Sequence, residues 1–190
     1  MPDYRTLQLP TERLLLRPLR DRDTQALFGI HSDPQFARYW SSAPWTELAQ
    51  AEQLIAQDQR DLAAGEHVRL GIRRRADEAL LGTCTLFKIH AGNRRAELGY
   101  GLAPCHWGQG YASEAVGALL DWGFGPLALH RVEADIDPEN QASAKLLGRL
   151  GFQLEGRLRE RWIVAGQMSD SAIYGLLARE WQERRARASG

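Results

Sequence analysis

A run of small residues in the second half of the chain has the composition of an anion-binding turn. Gly108 and Gly110 lie in the segment 107–115, at the start of a pattern typical of a long helix. At a helix N-terminus several backbone N–H groups point outward together, and the macrodipole favours negative charge. Glycine lets a ligand oxygen approach the backbone closely and tolerates positive φ. The segment is therefore a candidate seat for a phosphate or pyrophosphate, although an ordinary strand-to-helix turn has the same composition.

Two familiar phosphate-binding loops do not fit this segment. A Walker A loop needs a Lys and a Ser or Thr directly after its last glycine, whereas Tyr111 and Ala112 follow Gly110. A dinucleotide fingerprint follows the first strand of a βαβ unit, whereas this turn follows a later strand of the predicted sheet. The ligand class must be inferred from the rest of the chain.

Length and charge exclude some kinds of partner. The chain has 190 residues, so we expect a single domain over residues 1–182 and a disordered tail over 183–190. Its 24 basic residues balance 24 acidic ones, so no overall field favours nucleic acid or an anionic membrane. A phosphate ligand must therefore be held by local contacts.

Cysteine and histidine usage gives no sign of a metal site or of a disulfide framework. Cys84 and Cys105 lack metal-ligand spacing and are expected to be free thiols in a reducing compartment. The five histidines are scattered, and we expect each to be at the surface or hydrogen bonded in the core. Since there is neither a signal-peptide pattern nor an apolar run of membrane-spanning length, we expect a cytoplasmic protein.

Hydrophobic periodicity predicts the elements that would position such a site. An opening strand over 13–20 is followed by a short helix to Ile30, an aromatic loop over 33–45, and a helix over 46–64 with Thr46 as its N-cap. The remaining predicted elements are strands 66–74, 79–90 and 94–102, helix 109–124, strand 130–136, helix 140–150, and strands 152–164 and 171–178.

Several of these segments, in this order, resemble the GNAT superfamily of acyl-CoA N-acyltransferases. They are the strand 96–102, the turn and helix start 107–115, and the run 140–152 that begins Asn-Gln-Ala-Ser-Ala-Lys. The segment 174–181 is similar to the branch that contains the ribosomal-protein N-terminal (alanine or serine) acetyltransferases. The resemblance implies an α/β (α+β) fold: a mixed, mostly antiparallel sheet of about seven strands with splayed central strands, flanked by about four helices.

The resemblance also implies acetyl-CoA as co-substrate and no metal. Its pyrophosphate would bind backbone amides of the turn, and its pantetheine would pair with the strand that ends at Leu102 and Ala103. Asn140 matches the asparagine whose amide contacts the pantetheine, and it fits a plain helix cap equally well. Trp107 departs from the family's widest consensus, which puts a side-chain charge contact there in doubt. The residues predicted for the turn are Trp107, Gly108, Gln109, Gly110, Tyr111, Ala112 and Ser113.

The chemistry needs a base for the ammonium group, donors for the developing oxyanion and a proton for the leaving thiolate. Glu97 is the first candidate for the base, and the alternative is an exposed glutamate paired with Arg94 or Arg95. Many family members supply the acid from a tyrosine at the position of Leu147. In the branch that this chain resembles a serine lies near the sulfur, so Ser143 is the predicted acid, with a capping or packing role as the alternative.

The acceptor is the least specified part of the prediction. Trp40, Trp45 and Tyr174 are candidates for lining its cleft, and Asp170 and Glu160 could attract a cationic amine. The resemblance favours a protein N-terminal amine, such as that of a ribosomal protein. The alternatives are a small-molecule amine (an antibiotic, a polyamine or an amino acid) or a non-catalytic sensor of acyl-CoA. The chain is expected to be a monomer or a homodimer.

Overall fold

The structure, a computed structural model that describes residues 3–188, places eight strands in one sheet with the order β1-β2-β3-β4-β5-β6-β8-β7. All neighbouring strands are antiparallel except β5 and β6. The strands are β1 (Leu9–Pro10), β2 (Leu14–Arg17), β3 (Val68–Arg74), β4 (Leu80–His90), β5 (Arg95–Leu102), β6 (Arg131–Ile136), β7 (Gln153–Val164) and β8 (Gln167–Leu177). The helices within residues 3–188 are α1 (Thr24–His31), α2 (Pro34–Ala37), α3 (Leu48–Ala64), α4 (Tyr111–Phe124), α5 (Gln141–Leu150) and α6 (Ala178–Ala188). The predicted mixed α/β fold is confirmed.

Helices cover both faces of the sheet. On the face that we call the α4 face, Ala96, Leu98 and Leu102 of β5 are buried in one core with α4 and α5. The opposite face, which we call the α3 face, carries α1 and α3 over a smaller core. Successive side chains of a strand point to opposite faces. The even-numbered residues of β5 therefore belong to the α4 face and the odd-numbered ones to the α3 face.

The parallel strands β5 and β6 pair over only part of their length. Their register includes three residue pairs, of which the last joins Glu97 and Glu133. β5 continues to Leu102 and β6 to Ile136 without further pairing, while β6 stays paired with β8 along its whole length. We call the space between residues 98–102 and residues 134–136 the β5–β6 gap. It is the splayed pair of central strands that the sequence led us to expect.

Two element boundaries differ from the sequence prediction for local reasons. The N-cap of α3 is Glu47 and not Thr46, because the side chain of Gln50 accepts from the backbone N–H groups of both residues. β8 begins at Gln167 and not at residue 171, because Ala165 and Gly166 both have positive φ and make a tight hairpin turn. The hairpin of β7 and β8 is therefore longer than predicted.

The C-terminal segment is helical where we predicted a disordered tail. α6 runs from Ala178 to Ala188 and so includes residues 183–188, and residues 189–190 lie outside the described part. Trp181 is buried, and its indole N–H donates to Asp121 of α4 over 2.9 Å. The side chain of Glu180 accepts from the backbone N–H of Leu177 over 2.9 Å. These contacts anchor the helix, and the run of charged residues beyond them extends its exposed side.

Both cysteines are free, with Cys84 buried and Cys105 exposed. Burial raises the pKa of the Cys84 thiol, so this side chain behaves as a small apolar core residue. None of the helices within residues 3–188 combines the length and apolar character that crossing a membrane requires.

A buried ion-pair cluster attaches the start of α1 to the sheet. Asp23 is almost fully buried and binds Arg17 of β2 over 3.2 Å and Arg73 of β3. The backbone N–H of Arg20 also donates to the Asp23 carboxylate. Burial lowers the pKa of Arg17, and the nearby Asp23 charge opposes this shift. One carboxylate therefore holds two strands and the following helix in a fixed arrangement.

We expect Asp23→Ala to lower the free energy of unfolding by about 3–5 kcal/mol, because it leaves two buried guanidinium groups without their counter-charge. The measurement is urea unfolding followed by circular dichroism. Asp21→Ala, an exposed aspartate in the same turn, is the matched control and should change stability by less than about 0.5 kcal/mol. Similar losses for both variants would contradict the anchoring role of Asp23.

Candidate active site

Two glycines shape the turn before α4. Gly110 is the N-cap of the helix with φ +81°, and Gly108 has φ +74°, a region that other residues rarely adopt. Both residues are exposed, and no atom lies within 4 Å of the position that a Cβ on Gly108 would take. The N–H groups of Tyr111, Ala112 and Ser113 belong to the first helical turn, where no intrahelical acceptor exists. Exposed amides and an open surface are what an anion requires here.

Glu114, the acidic residue in the first turn of α4, is neutralised by contacts from residues just before β2. The Glu114 carboxylate accepts from the Thr11 hydroxyl (2.6 Å), from the Arg13 backbone N–H (2.9 Å) and from the Arg13 guanidinium (2.7 Å). Partial burial acts to raise the pKa of Glu114, but these bonds outweigh it and the net pKa is lowered. Arg13 also donates to the Gln109 carbonyl over 3.0 Å and so fixes the turn. Sequence reasoning missed Arg13, because 101 positions separate it from Glu114.

Trp107 fixes the other side of the turn. Its indole N–H donates to the carbonyl of Leu102 over 2.7 Å, while 51% of the residue is exposed. This bond joins the end of β5 to the turn before α4. The family that the sequence resembles often has a charged or amide side chain at this position. Trp107 is instead a neutral donor, and it binds the protein backbone.

The backbone of β5 turns alternate residues toward the β5–β6 gap. The N–H of Ala103 donates to Leu81 on the β4 side over 2.8 Å, whereas the Arg94 carbonyl accepts from His130 on the β6 side over 2.6 Å. The alternation along an extended strand therefore directs the backbone groups of Tyr100 and Leu102 into the gap. Of the two predicted pantetheine partners, Leu102 faces the gap, and the N–H of Ala103 is already engaged with β4.

Tyr100 and Ser143 meet beside the gap on the α4 face. Asn140 caps α5, since its side-chain oxygen accepts from the Ser143 N–H over 3.0 Å, and its amide nitrogen is left available. The Ser143 side chain is buried, and its Oγ lies 2.6 Å from the Tyr100 hydroxyl. Burial raises the pKa of Tyr100 to about 12, although the Ser143 bond acts in the opposite direction. Tyr174 lies on the same face, paired in register with Ala134 of β6, and not beside Trp40 and Trp45.

Sequence reasoning did not single out Tyr100, although the signal was available. Tyr100 lies in the same strand as Glu97, and the alternation of that strand assigns it to the face of α5. Leu147, the position at which family members carry their tyrosine, is fully buried in the core. The phenol beside Ser143 thus comes from a strand and not from the helix.

Glu97 lies on the opposite face of β5 from Tyr100. Its carboxylate binds the Lys88 ammonium group at 2.9 Å, and neither of the predicted arginine partners contacts it. Arg95 binds Glu133 of β6 instead, over 3.1 Å. The Glu97 side chain is 18% exposed and the Lys88 side chain 60% exposed, so the pair lies at the solvent margin of the α3 face.

The aromatic loop packs against the end of β5 on the same face. A Cβ added at Gly101 would lie 2.8 Å or less from the rings of Phe36 and Trp40, so only glycine allows this contact. His31 stacks on Trp45 with 4.0 Å between ring centroids. Burial lowers the pKa of His31 to about 4 and keeps it neutral near pH 7. Trp40 therefore borders β5 next to the gap, and Trp45 supports it through His31.

A second buried ion pair lies on the α3 face. Asp58 of α3 is almost fully buried, and its carboxylate accepts from Arg69 of β3 over 2.7 Å. Burial raises the pKa of Asp58 to about 6, although Arg69 opposes the shift. Burial also lowers the pKa of the neighbouring His67 to about 4, and its Nε2 has no hydrogen-bond partner, contrary to the expectation of a satisfied histidine.

The remaining predicted charges lie away from the gap. Asp170 binds Arg157 and accepts from the Glu160 backbone N–H, both over 2.8 Å, on the β7–β8 hairpin. Surface depressions of about 520 and 560 Å³ lie on this hairpin and beside α1, and neither includes a residue of the gap. Within residues 3–188, His, Cys, Asp and Glu side chains do not assemble into a group of three that could hold a metal ion.

Comparisons with known proteins agree with this geometry. The family model described as "Acetyltransferase (GNAT) domain" matches residues 13–153. The protein named "Uncharacterized N-acetyltransferase p20" of Bacillus licheniformis is 40% identical over 173 residues, which is 91% of this chain and 97% of that protein. The spermidine N(1)-acetyltransferase of Vibrio cholerae is 28% identical over 158 residues, covering 83% and 89%.

A solved structure, Mycobacterium smegmatis RimJ in complex with CoA-disulfide, superposes on this fold with a TM-score of 0.82. The two chains are 26% identical, and the match covers 93% of this chain and 89% of that one. The chain therefore belongs to the GNAT family and is an acetyl-CoA-dependent N-acetyltransferase.

Proposed function

We propose that this enzyme acetylates the terminal α-amine of a polypeptide by direct attack on acetyl-CoA held in the β5–β6 gap. The observation that best supports this mechanism is the position of ionisable groups on both faces of β5. Glu97 lies on the α3 face, and Tyr100 with Ser143 lies on the α4 face. This arrangement suits direct transfer. The acceptor amine would approach from the α3 face and lose a proton to Glu97, while the thiolate would be protonated from the α4 face.

The donor would be bound mainly by backbone groups. The amides of Gln109, Gly110, Ala112 and Ser113 would hold the pyrophosphate at the start of α4. The backbone groups of Tyr100 and the N–H of Leu102 would pair with the pantetheine as an added strand, while the Leu102 carbonyl stays bonded to Trp107. The free amide nitrogen of Asn140 would donate to the pantetheine. This placement is supported by the open surface at Gly108 and by the end of the β6 pairing at Glu97, which leaves residues 98–102 paired with β4 alone.

The proton transfers follow from these positions. Acetyl-CoA supplies an activated thioester. Glu97 removes one proton from the acceptor ammonium, the amine nitrogen bonds to the thioester carbon, and the carbon–sulfur bond breaks. The nitrogen loses its second proton to water as the neutral amide forms. Ser143 donates a proton to the departing thiolate, Tyr100 replaces that proton through their 2.6 Å hydrogen bond, and Tyr100 is reprotonated from solvent. Tyr100 is thus a positioning residue that acts through Ser143.

The acceptor proposal rests on the guanidinium of Arg69. Val68 and Leu70 are buried on the α4 face, so Arg69 points to the α3 face, in a row with Thr85 and Gly99. One of its nitrogens binds Asp58, and the side chain is 19% exposed. A guanidinium on the acceptor face can donate to the carbonyl next to an α-amine. A polypeptide N-terminus carries that carbonyl, whereas a polyamine, the acceptor that the name of the Vibrio cholerae relative suggests as the alternative, does not.

Arg69→Gln should lower kcat/KM for an N-terminal peptide by about tenfold or more, because a charge-assisted hydrogen bond contributes about 1.5–3 kcal/mol. Turnover of spermidine, which lacks a carbonyl, should change far less. The assay follows free thiol released from acetyl-CoA with each acceptor, and Arg69→Lys, which keeps the counter-charge of Asp58, controls for misfolding. The polyamine alternative is correct if spermidine is the better substrate and if Arg69→Gln lowers kcat/KM equally for spermidine and for the peptide.

Gly110→Asp should weaken CoA binding by about a hundredfold or more, because it adds a negative charge at the pyrophosphate seat, and like charges in contact cost several kcal/mol. Isothermal titration calorimetry measures the affinity. Gly166→Asp is the matched control, since Gly166 has the same φ of +81° in the β7–β8 turn and carries the same backbone strain. Equal affinity in the two variants would exclude the seat at α4.

Tyr100→Phe should lower kcat by about tenfold while leaving the KM for acetyl-CoA nearly unchanged. Because the pKa of Tyr100 is about 12, the phenol stays protonated from pH 6 to 9, and the pH profiles of the variant and wild type should run parallel. The double variant Tyr100→Phe/Ser143→Ala should be no slower than Ser143→Ala, since Tyr100 acts through Ser143. Additive losses of kcat in the double variant would contradict proton transfer from Tyr100 through Ser143. Tyr174→Phe is the control and should leave kcat nearly unchanged.

A further inference from the structure

Lysine is rare in this chain. Of its 24 basic residues only Lys88 and Lys145 are lysines, so the protein contains very few primary amines. One of the two, Lys88, binds the carboxylate that the proposed mechanism uses as its base, at 2.9 Å. An N-acetyltransferase whose base already holds a lysine amine has a candidate acceptor within its own chain.

A bulge in β4 directs Lys88 to this position. Phe87 is paired with Glu97 and His90 with Arg95, so β4 has one residue more than β5 between these pairs. Lys88 lies inside the irregularity with φ +50°, which is unfavourable for a residue with a Cβ. In a regular strand the residue after Phe87 would point to the α4 face. The bulge instead brings its ammonium group to Glu97 on the α3 face.

An ammonium group at this position meets the same requirement as a substrate. To be deprotonated by Glu97, an acceptor amine must come within hydrogen-bond distance of that carboxylate, about 2.6–3.2 Å. The Lys88 Nζ lies within that range, 60% of its side chain is exposed, and the gap begins one residue beyond Glu97. Lys88 and the external acceptor therefore compete for one place.

We propose that Lys88 is a site of self-acetylation, in which the enzyme transfers the acetyl group of acetyl-CoA to Lys88 when no external amine occupies the acceptor position. Glu97 takes one proton from the Lys88 ammonium, the Nζ bonds to the thioester carbon, and the carbon–sulfur bond breaks. The Nζ loses a second proton to water, and the thiolate of CoA leaves and is protonated from the Ser143 side. The product is an amide without charge. It can no longer pair with Glu97, so the modified enzyme binds an external ammonium group with a lower KM. This inference rests on the proposed role of Glu97 as the base.

The test is incubation of the full chain with acetyl-CoA alone, followed by intact mass measurement and peptide mapping. We expect one acetyl group per chain, at Lys88 and not at Lys145, with a rate constant independent of protein concentration. Lys88→Arg should abolish the modification and Lys145→Arg, the matched control, should leave it unchanged. Glu97→Gln should slow it about a hundredfold, the usual contribution of a general base. An N-terminal peptide should slow it by competition.

Three results would overturn the inference. The first is no acetylation of the native chain. The second is equal acetylation of Lys88 and Lys145, the result expected of a urea-unfolded chain in which the fold selects neither lysine. The third is an acetylation rate that Glu97→Gln does not change. Peptide acetylation by wild type and by Lys88→Arg is measured in parallel. If both proteins acetylate the peptide while Lys88 stays unmodified, self-acetylation is wrong and the proposed function stands. If neither acetylates any amine, the proposed function fails as well.

Discussion

The early end of the pairing between β5 and β6 is the constraint on which the rest of the site depends. Backbone N–H and C=O groups of a strand need partners, and residues 98–102 lose those of β6 while their side chains remain packed on the α4 core. An extended ligand can replace the missing strand without demanding particular side chains. The first turn of α4 lies just beyond the end of β5, and the Trp107 bond to Leu102 fixes that relation. One interrupted ladder thus defines both the direction and the end of the proposed co-substrate site.

The alternation of side chains along β5 then divides the chemistry between two faces. Tyr100 points to α5 and Ser143, whereas Glu97 points to the opposite face with the aromatic loop. Gly99 and Gly101 place no side chain on that face, and the rings of Phe36 and Trp40 pack closely over Gly101. A shift of one residue in the register of β5 would exchange every one of these positions. The buried pairing of β5 with β4 is therefore a catalytic constraint as well as a structural one.

Features with a local cause were predictable from the sequence. The glycine turn, the cap at Asn140 and the three strands β3 to β5 all follow from short-range patterns. Contacts between separate elements were not predictable from residue spacing. They include the bonds of Arg13 with Glu114, of Arg69 with Asp58, and of the Trp107 indole with Leu102. The alternative for Glu97, a pair with Arg94 or Arg95, is not found, because a bulge, which leaves no periodic signal, brings Lys88 there instead. Tyr100 could have been predicted from the alternation of side chains along β5. It places a phenol beside Ser143, whereas residue 147 is a leucine.

Charges on the proposed acceptor face are balanced by neighbouring opposite charges. Glu97 binds Lys88, and Asp58 binds Arg69. Glu133 binds Arg95 and Arg131, and Arg131 also binds Glu155. A site with paired charges exerts little long-range attraction on a cation, so a polyamine gains little from its extra charges there. A single terminal ammonium needs only to exchange places with the Lys88 ammonium, since one ion pair then replaces another. In the function that we propose, selection on this face therefore depends on hydrogen-bond geometry beside the amine more than on net charge, and an acceptor with a carbonyl next to its nitrogen is favoured.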